Sequence, residues 1–199
     1  MAIWLTAALI VASPAAAQQV INESGPIAHG GADTAFPVTV DGFRRSRVVA
    51  YGPGRANMSA SYSTMLDGLR LLVTVYIYPS AAGGDRIANC GTEFAGVGQA
   101  IVQAYGGARP IENGRAPAIA GALPELSLRS VHQVRMPFDG QIRDVRTESR
   151  LYCYVGGRWQ VKYRASATAD YSPEILDRFI AQGPWPGRAA AQEPDTVAP

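Results

Sequence analysis

The hydrophobic and polar positions of residues 38–43, 45–51 and 57–64 read as short strands, and Gly52-Pro53-Gly54 turns the chain between the second and third. Residues 70–78 make the strongest strand. β-Branched and aromatic side chains dominate it, apolar residues stand on both of its faces, and Pro79 ends the ladder. That pattern predicts a central strand covered on both sides. From Asp85 the period changes: Ile87, Cys90, Phe94, Val97, Ile101 and Tyr105 recur at steps of three and four, one face of a helix that Gly106-Gly107 closes. Gly91, Gly96 and Gly98 each weaken an isolated helix by up to about 1 kcal/mol, so packing must hold this one or a close backbone approach must require them.

Residues 108–124 read as a Pro/Gly-rich connection. Residues 125–138, 145–155 and 158–168 are three further strands, the last two joined by a tight turn at Gly156-Gly157. Ser172-Pro173-Glu174 then opens a second helix, with a capping hydroxyl, proline at the first helical position and a carboxylate at the positive end of the dipole. Ile175, Leu176, Phe179 and Ile180 give it an apolar face, and Gly183-Pro184 stops it. The expected fold is α+β: an antiparallel sheet of six or seven strands, a helix after the first strand group, and a C-terminal helix packed on the sheet. This order of elements over residues 38–182, with the strongest strand ending at Pro79 before the helix, resembles Mog1/PsbP-like domains. The resemblance implies an accessory or binding role rather than catalysis.

The ends have a different character. Residues 1–17 are an apolar run broken by Ser13-Pro14 and finished by Ala15-Ala16-Ala17, the pattern of a signal peptide cleaved after Ala17, although no Lys or Arg precedes the run. The expected location is therefore periplasmic or secreted, with retention as an inner-membrane tether the alternative. Residues 18–35 read as a flexible leader, 36–185 as one domain, and 186–199, rich in Ala and Pro, as a disordered tail.

A net charge of +2 argues against a nucleic-acid partner. Lys162 is the only lysine of the chain, a skew toward arginine that GC-rich coding explains. Alternation puts Leu151, Cys153 and Val155 on one strand face, and Cys90 lies on the apolar stripe of the first helix, so both thiols point toward one core. Two readings stand: inert packing, or a disulfide closing a separation of 63 residues, which stabilises by about 4 kcal/mol through the unfolded state. The other face of the hairpin is expected to gather Arg146, Arg150, Tyr152, Tyr154, Arg158, Gln160, Lys162 and Arg164 into a basic, aromatic platform. Such a surface suits an envelope protein partner, an anionic lipid or a polysaccharide. The plainer reading is a wet sheet face with cross-strand pairs to Glu148. His132 shares its face with Leu128, Val134 and Met136 and reads as a core histidine, with the base of a small hydrolase as the alternative. No metal or cofactor is expected, because no His/Asp/Glu cluster has ligand spacing, two cysteines cannot complete a zinc site, and no phosphate or dinucleotide loop is present. The sequence thus points to an exported, non-catalytic envelope protein that binds a partner or anionic ligand.

Overall fold

The strand-forming stretches assemble into an antiparallel sheet of nine strands in the computed structural model, which describes residues 18–168 and 171–188. The expected signal peptide lies outside the described residues, as does residue 189 onward of the expected tail. In chain order the strands are β1 (Gln18–Ile21), β2 (Ile27–Ala28), β3 (Ala35–Phe36), β4 (Thr39–Val40), β5 (Phe43–Tyr51), β6 (Met58–Leu66) and β7 (Leu69–Pro79). Helix α1 (Arg86–Ala104) follows, then β8 (Arg109–Gly114), β9 (Leu126–Phe138), β10 (Gln141–Val155), β11 (Trp159–Ala167) and α2 (Pro173–Gln182). The sheet order is β1-β5-β6-β7-β11-β10-β9-β8, with β4 also paired to β5, while β2 and β3 form a separate two-stranded ribbon. The α+β architecture agrees with the sequence; the strand count exceeds six or seven because two segments without a hydrophobic period still pair.

The first of these is the leader. Residues 18–35, expected to be flexible, are seated on the sheet: Gln18 pairs with Tyr51 and Ile21 with Val48, and Ile27 and Phe36 are fully buried. His29 is buried as well, its Nε2 3.1 Å from the Ile77 carbonyl and its ring edge-on to Trp159. Gly30 donates to the Arg55 carbonyl at 2.8 Å, and a Cβ there would stand 1.8 Å from the Gly54 oxygen, so only glycine permits the approach. Isolated apolar residues separated by turns hold this segment, which is why no period announces it. The second is β8, inside the expected connection. All six of its residues are exposed and it pairs only with β9, so no buried face exists to pattern its sequence.

The two faces of the sheet are covered differently. On one side α2 packs Leu176, Phe179 and Ile180 against Phe43, Tyr62, Tyr163 and Trp185, within a continuous core that runs back to the leader. On the other side α1 lies over β9 and β10, antiparallel to β10, with Cys90 beside Leu151 and Cys153 and with Ile101 beside Val134 and Val145. Asp85 caps α1 by accepting from the Ile87 and Ala88 amides. Cys90 and Cys153 form a disulfide pair with Cα atoms 6.0 Å apart, which pins the N-terminal half of α1 to the sheet. Strand β7 is central as expected, but its second cover is partial: Val73, Val75 and Ile77 are fully buried, whereas Thr74, Tyr76 and Tyr78 on the α1 side are half-buried.

Candidate functional site

Antiparallel partners share a face, so the register decides which of the expected platform residues meet. Leu151 pairs with Lys162 and Arg150 with Tyr163. Even-numbered residues of β10 therefore lie opposite odd-numbered residues of β11, and the eight side chains do not form one surface. Arg146, Arg150 and Tyr152 belong to the α2 side; Gln160, Lys162 and Arg164 belong to the α1 side. A bulge between Tyr152 and Val155, with Tyr154 at φ 55°, turns Tyr154 toward α1, where Asn89 donates to its hydroxyl at 3.3 Å and Arg86 stands over its ring. Arg158 sits at the hairpin end, donating to the Gly31 carbonyl at 2.8 Å and lying over Trp159.

Arg150 and Tyr152 are structural. Arg150 is 1 % exposed; its Nε donates to Glu148 at 2.7 Å and its Nη1 pairs with Asp177 of α2. Arg129 donates to the same Glu148 carboxylate at 2.7 Å, and these two guanidiniums hold the Glu148 carboxyl below its ordinary value against the opposing effect of burial. Tyr152 is fully buried against Tyr163 and Trp185, and burial pushes its hydroxyl up to about 12.

Lys162 and Arg164 are the members of the expected set that meet in a cavity. They line a cleft of about 460 Å³ at the flank of α1, whose far wall is Asn89, Thr92, Glu93, Gly96, Val97 and Ala100. The Lys162 ammonium stands 4.5 Å from the Tyr76 ring centroid and 5.6 Å from that of Tyr78, and the Tyr78 hydroxyl donates to Glu93 Oε1 at 2.8 Å. Burial, reinforced by the neighbouring Arg164 charge and opposed by Glu93, pulls the Lys162 amine down to about 8. Burial together with the Glu93 charge raises Tyr78 far above its usual value, so its hydroxyl remains a donor.

Polar rows run from this cleft beneath α1. Ser130, Ser149, Arg164 and Thr74 stand in one cross-strand row, and His132, Thr147 and Ser166 in the next. They separate two small apolar clusters, one around Cys90 and one around Ile101. Ser130 Oγ, Ser149 Oγ, His132 Nδ1 and Arg164 Nε are all buried without a hydrogen-bond partner. His132 is 5 % exposed, and burial and then the Arg164 charge hold it below its ordinary value, hence neutral. Neither serine is hydrogen-bonded to the imidazole, so the pairing that activates a serine nucleophile is not formed. Among the described residues no three His, Cys, Asp or Glu side chains gather as metal ligands.

Sequence reasoning missed Glu93, Asn89, Tyr76 and Tyr78. The available signal was the alternation of Tyr76 and Tyr78 with buried residues in β7, set against the small Gly96 and Ala100 on one flank of α1. No protein-family model, curated protein or solved structure matches this chain.

Proposed function

We propose that this protein works outside the cytoplasm as a non-catalytic binding protein whose anionic ligand enters the cleft between α1 and β11. The observation that carries the reading is the pairing of Lys162 with Arg164, two cations two residues apart on one face of a cleft, with Arg164 Nε buried and unpartnered. A buried guanidinium N–H without an acceptor costs about 1–3 kcal/mol, a cost that a ligand oxygen relieves. An arginine fork and a lysine point charge complement each other toward a carboxylate or phosphate. The Cys90–Cys153 pair supports an oxidising compartment, in line with the signal-peptide pattern of residues 1–17. The order-of-elements resemblance to accessory domains leans the same way.

Calorimetric titration of the recombinant protein with lactate and with inorganic phosphate tests this. Binding of at least one of them should weaken about tenfold or more in Arg164→Gln, consistent with the loss of one charge-assisted hydrogen bond, with the melting temperature not lowered. Equal affinity in the variant, or no binding of either anion, sinks the reading.

A further inference from the structure

Arginine supplies every other Lys/Arg-type cation of this chain, yet the half-buried position over two tyrosine rings holds its single lysine. That choice runs against the chemistry of the seat. A guanidinium is more weakly hydrated than an ammonium and stacks better on aromatic faces, so a purely electrostatic or packing role at this point favours arginine. What lysine alone provides is an amine that can release its proton and act as a nucleophile. The surroundings supply the remaining requirements: the cleft admits a small molecule, Arg164 lies beside Lys162 on the same face, and Glu93 faces it from α1. Groups bearing on the ammonium come from each packed element: Tyr76 and Tyr78 from β7, Glu93 from α1 and Arg164 from β11.

Resting on the anion-binding reading above, we infer that Lys162 captures a small 2-oxo acid as a reversible imine, with Arg164 holding the carboxylate. The neutral amine attacks the ketone carbon, forming a C–N bond while the carbonyl oxygen takes up a proton. The resulting carbinolamine loses its hydroxyl as water, with the second proton supplied by nitrogen, and leaves C=N. One amine and one ketone thus give one imine and one water, with no change in oxidation state, and water reverses the step. Glu93 is the cleft carboxylate that relays protons between nitrogen and the leaving oxygen, with the Tyr78 hydroxyl donating to it from behind. The lowered amine pKa provides a working fraction of nucleophile near neutral pH.

The single lysine makes the test clean, since only Lys162 and the α-amino terminus can form an adduct. The recombinant protein is incubated with pyruvate and cyanoborohydride, and the products are read by intact mass and peptide mapping. A reduced adduct at Lys162, absent from a folded Lys162→Arg variant, is expected. Arg164→Gln should lower pyruvate trapping about fivefold or more relative to the same variant's trapping of uncharged propanal, a ratio that cancels the change in the amine caused by losing the Arg164 charge. Lactate, which has the carboxylate but no ketone, reads the anion site separately. If lactate binds and no Lys162 adduct forms, the imine proposal falls and the anion-binding reading stands; if phosphate and lactate both fail to bind, the underlying reading falls. An adduct confined to the α-amino terminus, or one at Lys162 indifferent to Arg164, also overturns the proposal.

Discussion

The two faces of the sheet were built to different rules. On the α2 side the core is continuous, and three of its large side chains are hydrogen-bonded at their rims, Tyr62 to the Pro37 carbonyl at 3.0 Å, Tyr163 to Pro184 at 3.2 Å and the Trp185 indole to Ile180 at 2.8 Å, while the Tyr171 hydroxyl and His29 Nδ1 stay without a partner. Even its charges close into a network of Arg129, Glu148, Arg150 and Asp177. On the α1 side two small apolar clusters flank rows of serine, threonine, histidine and arginine, several of them buried without partners, and a disulfide pair takes the place of a broad interface. One face holds the molecule together. The other is held by a disulfide pair and two small clusters and carries unmet polar groups beside an open cleft, where a ligand can be useful.

This contrast can be broken by mutation, and the largest effect belongs to the α2 face. Phe179 is fully buried and meets Phe43 at 4.7 Å and Tyr62 at 5.4 Å between ring centroids. Phe179→Ala should cost about 3–5 kcal/mol in chemical denaturation. A loss below about 1 kcal/mol would mean that this face is not the anchor.

On the α1 face the expected change is smaller and of opposite sign. Lys162 has a folded pKa of about 8 against a reference of 10.5, so between those values the unfolded chain binds more protons and stability rises with pH. Below pH 8 the whole penalty is present. Lys162→Met should therefore be more stable than the natural protein by roughly 2 kcal/mol at pH 7, and the gap should narrow as pH climbs from 8 toward 10.5. A variant that is less stable at pH 7, or a gap indifferent to pH, would place this lysine among the structural residues.

Much of the fold was legible because burial on one face imposes a period. The strands at 57–64 and 70–78 alternate buried and partly exposed positions over most of their length, the helix beginning at Asp85 buries one stripe, and the strands at 45–51 and 158–168 were legible from their β-branched and aromatic residues between turn signals. β8 and the leader could not, since β8 has no buried face and the leader is held by single residues such as Ile27 and His29. Two independent periods pointed Cys90 and Cys153 to one side, which left a disulfide and inert packing both open; the structure pairs them. The platform failed for a different reason: alternation assigns residues to faces within one strand, whereas relating two strands requires the register, and Arg150 opposite Tyr163 reverses the assumed alignment. The cleft was partly visible, in Lys162 and Arg164. Its other wall was not, because Glu93 and Gly96 acquire meaning only once α1 is laid on β9 and β10.

A single lysine also gives a single reporter. Labelling the protein with lysine carrying carbon-13 at the ε position yields one such resonance, and following it against pH reads the Lys162 amine directly. A midpoint near 8 is expected, moving upward when a saturating small carboxylate enters and favours the charged form. A midpoint at the ordinary lysine value of 10.5, unmoved by carboxylate or phosphate, would contradict it.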